Sequence, residues 1–369
     1  MEYFVCGAMV YRPLLNLVVG CSDLSTLQTE NLQHAALSAE QACFPFLIRV
    51  KEQSVEGLLL SDLTEAELER LTFFSNCIGG EAGPYDGMGT SKIIAYWSVV
   101  ADQKTAQDHD ADLWVQNWSA IALEAAQEIM GYFRLRSASE VRAGLQMILL
   151  RAHARVEAAT GVPANVRSAK ESNQVDIVHQ DSPHAGYFVT RDFSLRHPTF
   201  AGGQSPIVRR EVFVATDAAI VLPYDPVNDR VMLVEQFRMG PFGRGDVRPW
   251  MLEPVAGRID PGETPESTAR RECEEEAGLT LHRLEKISSH YSSPGCSTEY
   301  FHLFLGVCDL PNLDQGQGGL DAEHEDIRTH VLPFDQAMDL LTTGEADNGP
   351  LVLSLLWLAR ERERLRSAA

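Results

Sequence analysis

The sequence has little positive charge for its length. Its 369 residues include 31 Lys and Arg against 52 Asp and Glu, which gives a formal net charge of −21 at pH 7. A chain this acidic repels nucleic acid and anionic membranes unless it carries a local basic stripe, and the sequence contains none. We therefore expect neither a nucleic-acid partner nor a membrane partner.

Long apolar runs and paired cysteines are also missing. No stretch of about 18 uninterrupted apolar residues occurs, which excludes a membrane-spanning helix. The seven cysteines form no Cys-x-x-Cys pair, so neither a disulfide framework nor a zinc site is expected. The first residues lack the basic segment of a signal peptide. Together these absences predict a soluble, cytoplasmic protein.

The length and composition indicate two or three folded domains. Apolar residues make up 44% of the chain and charged residues 22%, as in ordinary globular proteins. Residues 161–185 are polar and interrupted by prolines, which is typical of a linker. We therefore predict an amino-terminal domain over residues 1–160 and a carboxy-terminal domain over residues 186–369.

The two predicted domains differ in their pattern of secondary structure. The first contains both strand-like runs and helical patterns, with strands at 3–10, 46–50, 55–60 and 93–100 and helices at 13–20, 113–135 and 138–160. In the second, strand signals dominate, at 211–222, 230–239, 286–292 and 300–307, with helices at 264–277 and 351–366. Strands flanked by helices without a repeating βαβ period predict an α+β fold.

Residues 257–279 form the most informative stretch of the sequence. The pattern predicts a loop that leads into a helix. Thr264 suits the amino-terminal cap, and Pro265 suits the first helical position. Gly278 suits the left-handed conformation in which many helices end. The boundaries of this helix can therefore be read from the sequence alone.

Three glutamates on this helix are spaced to share one side. Glu272 and Glu276 are four residues apart, and Glu275 is three residues from Glu272. Converging carboxylates repel one another, and hard cations with oxygen ligands, Mg²⁺ or Mn²⁺, relieve that repulsion. The alternative is a solvated acidic helix face, which is the ordinary reading of a glutamate run.

The stretch resembles the Nudix box, G-x5-E-x7-R-E-U-x-E-E-x-G-U, at every fixed position. Cys273 stands at the first apolar position, where a small polarisable residue is a mild departure. The resemblance implies an α/β/α sandwich for the carboxy-terminal half. It also implies hydrolysis of a nucleoside diphosphate linked to another moiety, with two or three divalent cations as cofactors.

Residues outside the box resemble one branch of that family, the bacterial ADP-ribose pyrophosphatases. Pro294 lies fifteen residues beyond Leu279, where those enzymes carry a proline, and residues 250–257 and 323–328 are similar to their corresponding stretches. The likeness covers roughly residues 185–362. It implies cleavage of ADP-ribose to AMP and ribose 5-phosphate by a homodimer.

The resemblance also implies roles for individual residues. Glu272, Glu275, Glu276 and the Ala256 carbonyl would hold the metal ions, and Arg271 would brace the loop by pairing with Glu263. Glu323 is the expected catalytic base, with Glu325 as its rival and with Glu275 and Glu276 as further catalytic residues. The expected substrate-binding residues are Arg238, Arg210 and Pro294, with Phe188 or Phe193 as the aromatic face for adenine.

The first half resembles the γ-glutamyl cyclotransferase-like fold, a small mixed α/β domain. Residues 3–9 are similar to its strand and turn, and residues 68–75 to the stretch that bears its catalytic glutamate. Ser75 stands where that glutamate is expected, and a hydroxyl does not replace a carboxylate as proton acceptor at neutral pH. An inactive domain is expected. The pairing of the two domains is similar to proteins linked to tellurite resistance.

Two alternatives to ADP-ribose hydrolysis stay open at this point. One is a Nudix hydrolase of another nucleoside diphosphate derivative, such as a sugar nucleotide, NADH or a dinucleoside polyphosphate. The other is a non-catalytic sensor that binds ADP-ribose. The intact box counts against the sensor, because a sensor tolerates a broken one.

Overall fold

The chain folds into two compact units, Met1–Ala169 and Lys170–Ala369. The computed structural model describes residues 2–20, 27–38, 42–85, 93–99, 106–107, 109–168, 170–311, 315–318 and 326–368. No helix among these residues is both long enough and apolar enough to cross a bilayer. Each unit is described separately below.

The amino-terminal unit is built on a six-stranded sheet with the strand order β4-β5-β1-β3-β2-β6. Strand β1 runs parallel to β5 and antiparallel to β3. The elements of the unit are β1 (Glu2–Cys6), α1 (Arg12–Val19), β2 (Leu27–Ser38), β3 (Phe46–Leu60), α2 (Glu65–Ile78), β4 (Gly80–Tyr85), β5 (Ile93–Ser98), β6 (Ala106–Gln107), α3 (Ala111–Gly131), α4 (Ala138–Ala143) and α5 (Leu145–Ala158).

Most predicted elements of this unit are present, but several boundaries differ, including that of α3, which ends at Gly131 instead of residue 135. The first strand ends at Cys6, because Gly7 adopts a positive φ of 56° and begins a short 3-10 helix, Gly7–Val10. The two predicted strands at 46–50 and 55–60 are one strand, β3, which pairs with β2 on both sides of an irregularity between Gln33 and Ala35. The predicted helix over 138–160 is divided at Gly144.

The carboxy-terminal unit contains an eight-stranded sheet and a separate three-stranded sheet, β7-β8-β9. Its elements are β7 (Asp176–Ala185), β8 (Val189–Arg196), β9 (Val208–Val214), β10 (Ala218–Asp225), β11 (Arg230–Phe237), α6 (Met239–Arg244), β12 (Trp250–Glu253), β13 (Val255–Arg258), α7 (Pro265–Ala277), β14 (Arg283–Tyr291), β15 (Tyr300–Val307), β16 (Gln315–Gly318), β17 (Ile327–Pro333), α8 (Phe334–Thr343) and α9 (Gly349–Ser367).

Helices cover both faces of the larger sheet. Its strand order is β14-β15-β10-β11-β17-β16, with β12 paired to β11 and β13 paired to β10. On one face α7 packs through Ala269 and Cys273 against Val221 and Val255. On the other face α8 and α9 pack against residues such as Leu222. The helix–sheet–helix layering predicted for this half is therefore present.

Two predictions for this region need correction. The end of the predicted linker, residues 161–185, is strand β7, which pairs along its length with β8. Its residues are almost all exposed, so the hydrophobic alternation by which strands are recognised is missing. The predicted strand over 211–222 is two strands, β9 and β10, which belong to different sheets.

Candidate active site

The loop and helix that carry the three glutamates have the predicted local structure. Thr264 caps α7, with the Ser267 backbone N–H donating to the Thr264 hydroxyl at 3.1 Å. Pro265 is the first helical residue, and Gly278 ends the helix with a φ of 63°. These signals are local to the chain, and together they set where the helix begins and ends.

Glu276 lies against the backbone of β13. Its carboxylate accepts a hydrogen bond from the Ala256 backbone N–H at 3.2 Å, and its side chain is buried, with the residue 3% exposed. The N–H and C=O of one residue in a strand point to the same side. The Ala256 carbonyl therefore faces the strand edge at which Glu276 lies, which brings two oxygen donors to one place.

Glu272 approaches the same strand at Gly257. A β-carbon added to Gly257 would lie 1.8 Å from a Glu272 carboxylate oxygen, far inside van der Waals contact. Glycine at this position permits the close approach of the Glu272 carboxylate, which a larger residue would displace. The absence of a side chain leaves the space that the Glu272 carboxylate occupies beside Ala256.

Arg271 connects the glutamates to the preceding loop. Its guanidinium donates to both oxygens of Glu263 at 2.9 Å, to Glu272 at 2.7 Å and to Glu275 at 2.9 Å. The hydrogen bonds that Arg271 donates to Glu263 hold the pKa of Glu263 below its ordinary value, and the same hydrogen bonds raise the pKa of Arg271. The guanidinium thus offsets the repulsion among three carboxylates.

The donor set suits a hard divalent cation. Glu272, Glu275, Glu276 and the Ala256 carbonyl offer only oxygen ligands, the type that Mg²⁺ and Mn²⁺ prefer. No group of three or more His, Cys, Asp or Glu side chains in the described part of the chain is already arranged to hold a metal ion. Arg271 contacts one oxygen of Glu272 and one oxygen of Glu275, so the guanidinium would hold both carboxylates in position around a cation.

Arg238, which is predicted to bind phosphate, directly follows β11 and donates a hydrogen bond to a glutamate. Its guanidinium donates to Glu253 at 2.6 Å across the β11–β12 pair. Burial raises the pKa of Glu253 above its ordinary value even though Arg238 opposes that shift. The pair positions Arg238 and leaves 38% of its side chain exposed.

The two candidate aromatic residues have different surroundings. Phe188 lies at the turn between β7 and β8, in an aromatic cluster with Tyr187 at 4.9 Å and Phe213 at 4.7 Å between ring centroids. Phe193 is in β8, opposite the exposed Arg210 of β9. The structure therefore groups Phe188 with other aromatic residues and pairs Phe193 with Arg210.

The loop that carries Pro294 is attached to the same region. Pro294 is exposed, and two residues later the Cys296 carbonyl accepts a hydrogen bond from the Phe213 N–H at 2.8 Å. Since Phe213 also packs against Phe188, the proline loop and the aromatic cluster are adjacent. Glu323 and Glu325, the expected catalytic base and its rival, lie outside the described residues.

Three residues near the site were not identified from the sequence. Glu253 was missed because its partner Arg238 is fifteen residues away and reaches it only through strand pairing. Tyr187 and Arg258 were missed although Tyr187 adjoins Phe188 and Arg258 lies within the box. Arg258 follows Gly257 directly, and its backbone carbonyl accepts a hydrogen bond from Arg271 at 3.2 Å.

Comparison with known proteins identifies a family and several relatives that this chain resembles. The family described as NUDIX domain matches residues 215–355. An ADP-ribose pyrophosphatase of Escherichia coli is 38% identical over 205 residues, which cover 56% of this chain and 97% of that protein. One of Haemophilus influenzae is 38% identical over 196 residues, covering 53% and 90%. A GDP-mannose pyrophosphatase of an Enterobacter species is 29% identical over 187 residues, covering 51% and 96%.

Proposed function

This chain belongs to the Nudix family of hydrolases, and we propose that it cleaves the diphosphate bond of ADP-ribose to give AMP and ribose 5-phosphate. The observation that carries the proposal is the convergence of Glu272, Glu276 and the Ala256 carbonyl at one strand edge. Relatives named for this activity align over 90% or more of their own length. The loop with Pro294 beside an aromatic cluster supports a nucleotide substrate.

Glu272, Glu275, Glu276 and the Ala256 carbonyl would hold the divalent cations, which we propose to be Mg²⁺, with Mn²⁺ as a substitute. When bound, such cations neutralise the diphosphate and lower the pKa of a water molecule. Arg271 and Glu263 keep the glutamates in place, an outer-shell role of the kind that orients metal ligands. Arg238, positioned by Glu253, would bind a phosphate oxygen.

The reaction requires a water oxygen to form a bond to phosphorus while the bridging P–O bond breaks. The proton of that water passes to a carboxylate, for which we propose Glu323, with Glu325 as the alternative. Phe188, within its aromatic cluster, is the better placed of the two phenylalanines to stack on adenine, and Phe193 with Arg210 is the alternative. The released products are AMP and ribose 5-phosphate.

A second candidate function is hydrolysis of a different nucleoside diphosphate derivative. It is favoured by the similarity to a GDP-mannose pyrophosphatase, which is weaker, at 29% identity. A panel of ADP-ribose, GDP-mannose, NADH and a dinucleoside polyphosphate, assayed with Mg²⁺ and resolved chromatographically, separates the two. We expect the highest kcat/KM for ADP-ribose. A higher value for any other member would replace our proposal with the second candidate, and binding without turnover would favour the sensor.

For the amino-terminal unit we propose a γ-glutamyl cyclotransferase-like fold without that activity. The strand and turn of Glu2–Val10 support the fold, and Ser75, buried in α2, supports the loss of activity. Assaying the full chain with γ-glutamyl peptides tests this, because release of 5-oxoproline would contradict it. We further propose that the protein is cytoplasmic, that it forms a homodimer, and that its pairing of domains is that of proteins linked to tellurite resistance. Light scattering in solution tests the dimer.

A further inference from the structure

Arg258 is a cation without an acidic partner in a strongly acidic region. Among the residues that the structure describes, it forms no ion pair, whereas Arg238 and Arg271 both contact glutamates. The chain as a whole carries a net charge of −21. In such a chain an arginine left unneutralised beside a cluster of carboxylates is available for an anionic ligand.

Neutral groups hold the Arg258 guanidinium in place. It donates to the Thr216 hydroxyl at 2.5 Å, and Thr216 itself is only 1% exposed. The guanidinium carbon lies 5.5 Å from the centre of the Tyr187 ring and 5.7 Å from that of Phe188. A hydroxyl and two ring faces orient the guanidinium while leaving its charge uncompensated.

The backbone of Arg258 belongs to the edge that holds the glutamates. Arg258 lies two residues after Ala256 in β13, so their side chains point to the same face of the sheet, while Gly257 between them faces Glu272. Its carbonyl contacts Arg271 directly. The backbone of Arg258 thus lies at the edge that holds the glutamates, and its guanidinium lies beside Phe188 on the other side of the strand from Gly257, so a ligand that contacts both the glutamates and Phe188 passes close to Arg258.

We propose that Arg258 is a substrate-binding residue that contacts a phosphate oxygen of the diphosphate on the side next to the aromatic cluster. This inference rests on the proposed hydrolysis of ADP-ribose and adds a specific contact to it. The planar fork of arginine matches phosphate oxygens, and a partly buried site strengthens the attraction. Thr216 is then a positioning residue, which acts on the substrate only through the guanidinium.

The test compares Arg258→Gln, Arg258→Lys and Thr216→Val with the wild-type chain, using ADP-ribose and Mg²⁺. For Arg258→Gln we expect KM to rise about 10- to 100-fold, which is the effect of losing one charged hydrogen bond. We expect kcat to change by less than about threefold. Arg258→Lys should recover part of the loss, and Thr216→Val should give a smaller rise in KM. Arg364→Gln, on the surface of α9, is the matched control and should leave both constants unchanged.

The dependence of kcat/KM on ionic strength gives a second readout, which would not change if the role of Arg258 were purely structural. Loss of a cation that attracts the substrate should make kcat/KM of Arg258→Gln less sensitive to ionic strength than that of the wild type. An unchanged KM, or a loss of activity with a lowered melting temperature that Arg258→Lys does not recover, would overturn the proposal.

The two proposals fail in distinguishable ways. If the wild-type chain does not hydrolyse ADP-ribose, the proposed function is wrong, and binding can then be measured at equilibrium in Mg²⁺. Calorimetric titration with ADP-ribose and with inorganic pyrophosphate, a minimal diphosphate, decides the role of Arg258. At least a tenfold weaker affinity in Arg258→Gln supports that role, and equal affinity or no binding to the wild-type chain rejects it.

Discussion

The carboxylate of Glu272 occupies the space that a side chain on Gly257 would need. A β-carbon at Gly257 would lie 1.8 Å from one carboxylate oxygen and 1.9 Å from the carboxylate carbon of Glu272. The two residues are fifteen positions apart and lie in different elements, yet the space beside Gly257 cannot hold both a β-carbon and the Glu272 carboxylate. A larger residue at Gly257 would therefore force the Glu272 carboxylate out of its position.

Gly257→Ala should displace Glu272 and lower the rate of ADP-ribose hydrolysis by at least about 100-fold, because a metal ligand would be misplaced by more than an ångström. Some loss of stability, about 1–3 kcal/mol from the overpacked contact, should accompany it. Steady-state assay and thermal unfolding measure both effects. Gly349→Ala, where an added β-carbon meets nothing within 4 Å, is the matched control. Wild-type turnover by Gly257→Ala would disprove the steric argument.

Arg271→Lys should weaken both activity and stability. A lysine keeps the charge but cannot contact Glu263, Glu272 and Glu275 at once, as the guanidinium fork does. We expect a loss of about 1–3 kcal/mol in unfolding free energy and about 10- to 100-fold in kcat/KM. The neighbouring Arg270→Lys is the control, because Arg270 donates only to the Leu281 carbonyl among the contacts described. Equal effects of the two substitutions would contradict the bridging role.

Asp229, which is remote from the glutamate cluster, should make the free energy of unfolding depend on pH. Burial would raise the pKa of Asp229, but hydrogen bonds from Arg362 and Tyr224 outweigh it and lower that pKa below its ordinary value of 3.8. The folded state then binds fewer protons than the unfolded state in mild acid, so the stabilisation is present above pH 3.8 and is lost as the pH falls through the lower folded-state value. Asparagine also tolerates the positive φ of 57° at this position.

Asp229→Asn should therefore cost about 1–3 kcal/mol at pH 7, with a difference from the wild type that narrows as the pH falls below 3.8. Denaturant unfolding of both proteins at a series of pH values measures this difference, and ADP-ribose turnover should be unchanged. A difference that stays constant down to pH 3 would show that the Asp229 charge does not stabilise the fold.

Some elements whose boundaries are set by local chemistry were predicted from the sequence, although α2, which has a capping box at Thr64 and ends before Gly79, was not. Helix α7 begins and ends where Thr264, Pro265 and Gly278 indicate, and α1 ends at Gly20 with a φ of 83°. Strand β7 was not predictable, because its side chains are exposed and its conformation depends on pairing with β8. Local signals identify helices better than they identify strands held by distant partners.

The candidate site also combines features that follow from local sequence with contacts that depend on distant residues. The spacing of Glu272, Glu275 and Glu276 on one helix follows from helical periodicity, and it was predicted. The contact of Arg238 with Glu253 and the cation–aromatic contacts of Arg258 depend on how strands and turns meet. Such contacts have no signature in residue spacing, so only the folded structure identifies them.

Glu276→Gln tests the account most directly. The Gln amide oxygen can still accept the hydrogen bond from Ala256, so the fold should be retained, while a neutral amide is a poor ligand for a divalent cation. The decisive measurement is the rate of AMP and ribose 5-phosphate formation from ADP-ribose at saturating Mg²⁺, with Glu274→Gln, an exposed position on the same helix, as control. We predict wild-type turnover for Glu274→Gln and at least about a 100-fold loss for Glu276→Gln with an unchanged melting temperature. Turnover by Glu276→Gln at the wild-type rate would contradict the account.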